Sequence, residues 1–311
     1  MFRRWNKMVL FLLLLSFAVP QFLIAQKTMK KRIAVFLFDD KTDHRVYWWR
    51  HNQPVGHGMS EMLTTALVKS GKYTVIERQE LEKIMQEQRL GQSGLVTPQT
   101  AAEVGKLLGV ELAVMGAVTE FGYSQDKKGL SFKGIGGGVK TMKATVAVDV
   151  RLVNTSTGEI IAAENVRKEK KSRGVSFHNQ KINFKDQKDF DESIVGKATR
   201  DAIETIVKLI DEQMKSIPWS GRVIMEKNGE VYVNAGSETG LEVGDKLEVF
   251  RPGEELIDPE TGLNLGTTES KIGVIEISQD LAQGKASKAR IISGSGFMKG
   301  DIVRLVKSDK K

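Results

Sequence analysis

GMSEMLTTALVKSGKYTVIERQELEKIMQEQRLGQSGLV, residues 58–96, is the stretch of sequence that determines the fold of the first half of the chain. Its first apolar residues recur at helical spacing and predict one amphipathic helix, carried by Met59, Met62, Leu63, Ala66 and Leu67. Gly71 follows as a left-handed cap, and the β-branched run at 73–76 predicts a short strand. A second helix follows, with Leu81, Ile84 and Met85 inward, and the glycines at 91–94 end it.

Strands and helices alternate on both sides of this stretch. The apolar runs RIAVFLF at 32–38 and ELAVMGAVTEF at 111–121 predict strands buried on both faces. Thr97 and Pro98 begin a further predicted helix, which ends at Gly109. Residues 122–139 are rich in glycine and predict an irregular segment, whereas strands are predicted at 144–153 and 159–166. With a long helix predicted at 190–214, the fold class is α/β, a mixed sheet flanked by helices.

The pattern changes at residues 217–221, IPWSG, which are predicted to join two domains. Six short strands follow, predicted at 222–225, 231–234, 246–250, 271–278, 285–292 and 302–306, with a hairpin turn at Asn228-Gly229. The segments GLEVGD at 240–245 and GFMKGD at 296–301 are alike, and each predicts a tight turn before a strand. A small all-β barrel or sandwich is therefore expected after the α/β domain.

The helix, the strand end Val75-Ile76-Glu77-Arg78 and the QELE helix resemble the CsgG family, whose namesake is the curli secretion channel of the bacterial outer membrane. The resemblance covers residues 31–215 and runs through several elements in order. The β domain at 221–307 is similar to the C-terminal domain of the flagellar accessory protein FlgT, which often follows CsgG-like domains. These resemblances imply a homo-oligomer with envelope or secreted protein partners and contact with the outer membrane.

The N-terminus predicts export. Arg3, Arg4 and Lys7 precede an apolar run at 8–19, and Ala25 suits a cleavage site, so residues 1–25 form a predicted signal peptide. The alternative is an uncut anchor, but the run is short of the ~20 apolar residues of a spanning helix. The chain has no cysteine, so a lipid anchor of the kind carried by the curli channel is not expected. We therefore expect a periplasmic or outer-membrane location without lipidation.

Charge and motifs argue against several function classes. The formal charge is +8, and +5 remains when the three basic residues of the first 25 are subtracted, which does not suggest nucleic-acid binding. GIGGG at 134–138 lacks the strand-then-helix flanks of a phosphate loop and predicts a hairpin tip or flexible arm. The spacing of His44, His51 and His57 matches no metal motif, which favours a polar surface loop. Gly-x-Ser-x-Gly is absent, so we expect no enzyme, cofactor or metal.

The loop at 41–57 carries three adjacent aromatic residues. In the CsgG family the loop after the first strand narrows the pore, because the ring of protomers brings aromatic and amide side chains together. The resemblance implies that role for Tyr47, Trp48, Trp49 and Asn52. The alternative is that one tryptophan holds the loop on its own domain and the others cover a subunit or domain contact.

A membrane pore built from hairpins requires about 10 residues per strand with one apolar face. Residues 130–150 partly meet this requirement, but residues 165–184 are too charged to face lipid, unless the stretch from Arg167 to Arg173 lies in water. Two hypotheses follow. The first is an exported, oligomeric CsgG-family component that transports or assembles a secreted, curli-like protein at the outer membrane. The second is a soluble periplasmic scaffold or activator of a flagellar or cell-wall machine, without a pore.

Overall fold

The structure is a computed structural model, and it describes residues 29–42, 54–76, 109–132, 135–173, 187–260 and 264–306. The N-terminal elements are β1 (Lys31–Val35), β2 (Asp39–Asp40), α1 (Val55–Ser70), β3 (Tyr73–Ile76), β4 (Leu112–Phe132), β5 (Ile135–Asn154), β6 (Ile160–Arg173), α2 (Gln187–Glu192) and α3 (Ile194–Gln213). The C-terminal strands are β7 (Gly221–Lys227), β8 (Glu230–Val233), β9 (Lys246–Ile257), β10 (Asn264–Leu281), β11 (Ala286–Gly294) and β12 (Ile302–Leu305). Single 3-10 turns lie at Ser237–Thr239 and Ala282–Gly284.

The first sheet is mixed, as predicted. Its strand order is β3-β1-β4-β5-β6, with β2 also paired to β4. Strand β1 runs parallel to β3 and β4, whereas β4, β5 and β6 are antiparallel neighbours. The predicted strand at 73–76 is confirmed, and so is the first helix, in which Met59, Leu63 and Leu67 are fully buried. The predicted strand at 32–38 ends at Val35, and the chain then forms the two-residue strand β2.

Helices α1 and α3 cover one face of this sheet. They share one hydrophobic core with the sheet residues, including the predicted stripe Val146, Val148, Val150 and Leu152. Burying a side chain of this size contributes about 1.5–3 kcal/mol, so this face accounts for much of the stability. The helices predicted after Glu77 and from Thr97 lie outside the described residues. The described helices confirm the helix-flanked sheet on one face only.

The structure corrects the prediction of an irregular segment at 122–139. Strands β4 and β5 pair in register from Leu112 with Asn154 to Phe132 with Ile135, which forms one long hairpin. The last described pair toward the tip is Phe132 with Ile135, so four of the five residues of GIGGG belong to β5. The glycines favoured an irregular segment because glycine weakens a strand. The backbone of a glycine nevertheless forms the same hydrogen bonds to a partner strand as any other residue, so the paired strand forms. Strand β6 is also longer than predicted and continues to Arg173.

The long helix predicted at 190–214 is two helices, which corrects a second prediction. The Ser193 hydroxyl donates to the Phe190 carbonyl over 2.6 Å and accepts from the Gly196 amide over 2.9 Å. Ser193 therefore ends α2 and caps α3. Gly196 is needed at this break because a Cβ there would lie 1.9 Å from the Phe190 oxygen.

The C-terminal half is a closed six-stranded barrel with the strand order β10-β11-β8-β7-β12-β9. All six predicted strands are present, and the chain turns at Asn228-Gly229 with positive φ at both residues. The two similar turns are equivalent: Asp245 accepts from the Glu242 amide, and Asp301 accepts from the Met298 amide, each over 2.7 Å. The barrel has its own core, distinct from that of the sheet. The domain limits 31–215 and 221–307 stay predictions.

Candidate functional site at the foot of the long hairpin

The aromatic loop leaves the sheet beside strand β4. Strand β2 pairs with β4 through Asp40 and Val118, and the Lys41 amide then donates to the Val118 carbonyl over 2.9 Å. Asp40 accepts from the Thr42 amide over 3.1 Å and from the Thr42 hydroxyl over 2.7 Å, which forms a tight local turn. The predicted site residues Tyr47, Trp48, Trp49 and Asn52 lie outside the described residues, so the structure locates the ends of their loop.

The chain returns from this loop at Pro54 and enters α1 against the backbone that follows β1. A Cβ on Gly56 would lie 2.0 Å from the Phe38 carbonyl oxygen, so only glycine fits here. On its other side the Phe38 ring packs against Gly116 of β4, where a Cβ would lie 2.8 Å from the ring. The first end of the loop is therefore held by backbone bonds to β4, and the second end by the close contact of Gly56 with the Phe38 backbone, whose ring packs on β4. Glycines within otherwise regular helix and strand patterns are the only sequence signal for these contacts.

The hairpin foot begins immediately beyond this loop base. Phe121 of β4 and Met142 of β5 are buried, and they are the last core residues toward the tip among those whose burial is described. Tyr123 is half-buried; its hydroxyl hydrogen-bonds to the Ser193 side chain and the Val195 backbone, and burial raises its pKa. Tyr123 thus fastens the foot of the hairpin to the capped start of α3.

Beyond Phe121 the hairpin continues for eleven paired positions, from Gly122 with Thr145 to Phe132 with Ile135. The first four, as far as Gln125 with the buried Met142, belong to the foot, and seven lie beyond it. At about 3.4 Å per residue these seven positions are about 24 Å long. Strand β6 accompanies β5 only as far as the pair Thr141 with Arg173. The outer part of the hairpin therefore pairs only within itself among the described strands.

Charged residues of β6 lie beside the foot and form ion pairs. Lys143 of β5 contacts Glu169 over 2.7 Å, and the Lys143 hydrogen bond lowers the pKa of that carboxyl. Arg167 forms ion pairs with Glu120 of β4 and with Glu169. On the other face Lys170 contacts Asp201 of α3 over 2.6 Å. Exposed pairs of this kind contribute little to stability individually, but they fix the charge pattern of this surface.

A buried polar junction joins the barrel at the opposite end of β4. Glu111 is 5% exposed and accepts from the Arg32 amide over 2.7 Å and the Ser220 amide over 3.2 Å. The Arg32 guanidinium donates to the Gly109 carbonyl over 3.2 Å and to the Asn234 carbonyl of the barrel over 2.5 Å. Burial raises the pKa of Glu111, although both amides and Arg32 oppose that shift. The hydrogen bonds of Glu111 and Arg32 with backbone groups thus connect the sheet to the barrel.

The described residues contain no group of three or more His, Asp or Glu side chains placed to hold a metal ion. Of the three histidines considered above, His44 and His51 fall in the part of the chain that is not described. None of the described helices is long and apolar enough to cross a membrane.

Comparison with known proteins gives matches by family, sequence and structure. The family model described as "Curli production assembly/transport component CsgG" matches residues 21–247. The CsgG protein of Salmonella typhimurium is 30% identical over 122 residues, which cover 37% of this chain and 43% of that relative. The matched region is therefore less than half the length of that relative.

Two solved structures are also similar. The LpoB C-terminal domain from Salmonella enterica has a TM-score of 0.31 at 19% identity and covers 45% of this chain and 83% of its own. The hypothetical protein CT253 from Chlamydia trachomatis has a TM-score of 0.36 at 17% identity, with coverages of 58% and 96%. The prediction that the barrel resembles the C-terminal domain of FlgT is not tested by these matches.

Proposed function

The chain belongs to the CsgG family, and from that premise we propose that it is an exported component that transports or assembles a secreted, curli-like protein at the outer membrane. In this proposal it acts as an oligomer with envelope or secreted protein partners. The family comprises transport and assembly components and is not a known enzyme family, so the proposal assigns no catalytic residue.

The observation that supports this function is the long hairpin. A transmembrane β-strand needs about 9–11 residues, and each strand of the hairpin has eleven paired positions beyond Phe121, seven of them beyond the foot. A two-stranded ribbon is marginally stable in water on its own, so a ribbon of this length needs neighbours. In an oligomer, hairpins from adjacent copies supply those neighbours, and the edges of each ribbon are then paired.

The base of the aromatic loop lies beside the foot of that hairpin. In a ring of copies the hairpins stand around the axis, and loops fixed at their feet are brought close to one another. We propose that Tyr47, Trp48, Trp49 and Asn52 form the constriction there. This assignment rests on the position of the loop ends and on family membership.

A second function is favoured by the charges of the outer hairpin. Beyond the foot Lys127 pairs with Lys140, and Lys128 lies one position further out. A lysine at the membrane midplane costs about 2–4 kcal/mol. This observation supports a soluble periplasmic scaffold or activator without a pore. The two functions differ in whether the hairpin enters a bilayer.

Conductance in planar bilayers tests the first proposal. Purified mature protein is expected to give stepwise currents, and Trp48→Ala or Trp49→Ala is expected to enlarge them by widening the constriction. Trp219→Phe, at a buried position in the barrel core, is the matched aromatic control and should leave the step size unchanged. A protein that stays in the soluble periplasmic fraction and gives no currents rejects the channel and leaves the scaffold.

Export is tested separately. Intact mass of the protein from the cell envelope is expected to correspond to a chain that begins after Ala25. A protein that retains Met1 and remains in the cytoplasm is inconsistent with both proposed functions.

A further inference from the structure

The hairpin formed by β9 and β10 extends beyond the closed barrel. Within the barrel β9 also pairs with β12 up to Phe250, and β10 also pairs with β11 from Gly273 onward. Between Pro252 and Glu269 the two strands pair only with each other among the described strands. We call residues 252–260 and 264–269 the arm.

The arm exposes large apolar side chains. Leu256, Ile257 and Leu265 are 48%, 51% and 57% exposed. A two-stranded ribbon is marginal in water, and grouped exposed apolar residues mark interaction surfaces. The arm therefore has the properties of a segment that is covered by a partner.

The arm is also strongly acidic. The arm contains Glu254, Glu255, Asp258, Glu260 and Glu269, and no lysine, arginine or histidine. Of these, Glu269 is already ion-paired with Arg304 of β12 over 2.5 Å. This composition is unusual in a chain whose formal charge is +8. A partner for the arm should therefore be basic, and it should also cover apolar side chains.

One surface of the same chain meets both requirements. Residues 167–172 of β6, RKEKKS, contain four basic residues and one acidic residue, and β6 is the edge strand of its sheet. No carboxylate of the described residues forms a salt bridge with Lys168 or Lys171, whereas Arg167 and Lys170 are paired within the domain. We call residues 167–172 the basic edge. Its lysine stems can cover apolar side chains while their ammonium groups meet carboxylates.

The basic edge lies far from the barrel of its own chain. Arg167 pairs across Ala147 with Glu120, which is nine residues along the chain from the junction residue Glu111, or about 30 Å of strand. In the described ion pairs of the basic edge the partners lie on β4, β5, β6 and α3, and none of them belongs to the arm. An arm that reaches this edge therefore comes from another copy.

We propose that the arm of one copy docks on the basic edge of a second copy. Two different patches meet in such a contact, so it is heterologous, and it generates a ring when its rotation closes. The contact rests on the oligomer of the proposed function, but it places the C-terminal barrel in the assembly as the element that links neighbours. The apolar side chains of the arm are buried under the lysine stems, and the acidic residues pair with Lys168 and Lys171.

Charge reversal tests this contact on the full mature chain by light scattering over a micromolar concentration series. Glu254→Lys with Glu255→Lys and Glu260→Lys changes the formal charge of the arm from −5 to +1, and Lys168→Glu with Lys171→Glu changes that of the basic edge from +3 to −1. Each variant is expected to raise the concentration for half-dissociation about tenfold or more, because like charges then face each other. Glu204→Lys with Glu212→Lys and Glu238→Lys, at exposed positions on α3 and on the 3-10 turn at 237–239, is the control with the same charge change as the arm variant and should behave as the wild type.

Mixing gives the sharpest result. When the two reversed variants are combined in equal amounts, each arm meets an edge of opposite charge on the other variant, so oligomers should return. A wild-type protein that is monomeric throughout, reversed variants that associate as the wild type does, or a mixture that fails to recover would each overturn the contact. Persistent oligomers in the reversed variants would leave the proposed function intact, because conductance is measured independently.

Discussion

Gly56→Ala is the substitution that most directly tests how the aromatic loop is seated. The new Cβ would lie 2.0 Å from the Phe38 carbonyl oxygen, 2.8 Å from its carbonyl carbon and 2.9 Å from the Asp39 oxygen. All three neighbours are backbone atoms, so no side chain can rotate away. Ordinary contact begins near 3.4 Å, so helix α1 and the backbone at Phe38 must separate by about 1.4 Å.

The cost of that separation follows from what moves with the helix. Val55, Met59 and Leu63 are fully buried on α1, and a shift of the helix start disturbs their packing. Overpacking of a well-packed core costs about 1–3 kcal/mol, and we expect the upper end because the clash is with backbone. Gly56→Ala should therefore reduce the free energy of unfolding by about 3 kcal/mol.

Urea unfolding measures this change as a lower midpoint with an unchanged m-value. Gly71→Ala at the other end of α1 is the matched control, because nothing lies within 4 Å of a Cβ there and only the φ of +67° is unfavourable. That control should cost about 1–2 kcal/mol. If Gly56→Ala costs less than Gly71→Ala, then α1 is not seated on the Phe38 carbonyl and the loop base is not fixed as described.

Three further predictions concern the helix break, the junction and the barrel. Ser193→Ala removes the cap of α3 and should lower stability by about 1 kcal/mol, with Ser193→Asp recovering most of it in thermal melts. Burial raises the folded-state pKa of Glu111 above its ordinary value of 4.5, so the free energy of unfolding should fall as pH rises through that raised value. Urea midpoints across pH should show that Glu111→Gln removes this decline, whereas an unchanged pH profile would contradict the assignment. Asp301→Ala should cost about 2–3 kcal/mol in the same assay, because buried Asp301 accepts from Arg251 and the Met298 amide, and a cost below 1 kcal/mol would mean that these bonds contribute little.

The barrel could be predicted from the sequence because its signals are local. Each strand is a short apolar run bounded by turn residues, and the Asn228-Gly229 turn and the two Gly-Asp turns specify their own backbone geometry. The order of strands around the barrel was not predicted. That order depends on pairing between distant strands, such as β7 with β12, which no local pattern encodes.

The two errors in the α/β domain have different physical causes. The hairpin at 122–139 is rich in glycine, which is a poor strand former, and it exists because each strand pairs with the other, so pairing overrides local propensity. The break at Ser193 is a local capping arrangement with Phe190 and Gly196, and its signal is a serine three residues before a glycine inside an otherwise continuous helical stripe.

The candidate site could be predicted only in part. The sequence identified an aromatic loop between the first strand and the first helix, and the structure places its first end on β4 and its second end against the Phe38 backbone. The close contacts that fix those ends, at Gly56 and Gly116, depend on distances between segments that are remote in sequence. The roles of Tyr47, Trp48, Trp49 and Asn52 stay predictions.

The register of the first sheet bears on the choice between pore and scaffold. The charges of residues 165–184 weigh against a membrane hairpin only if those residues stand at the height of the lipid. Strand β6 pairs with β5 from Val153 to Thr141, so residues 167–172 lie beside the foot. There Glu120 pairs with Arg167, Glu169 with Lys143 of β5, and Asp201 with Lys170. The cost of about 2–4 kcal/mol for a lysine or arginine at the membrane midplane therefore does not apply to this part of β6. That cost applies to the outer positions of β4 and β5. A pore requires Lys127, Lys128 and Lys140 to be accommodated in or beside the membrane, whereas a scaffold leaves them in water.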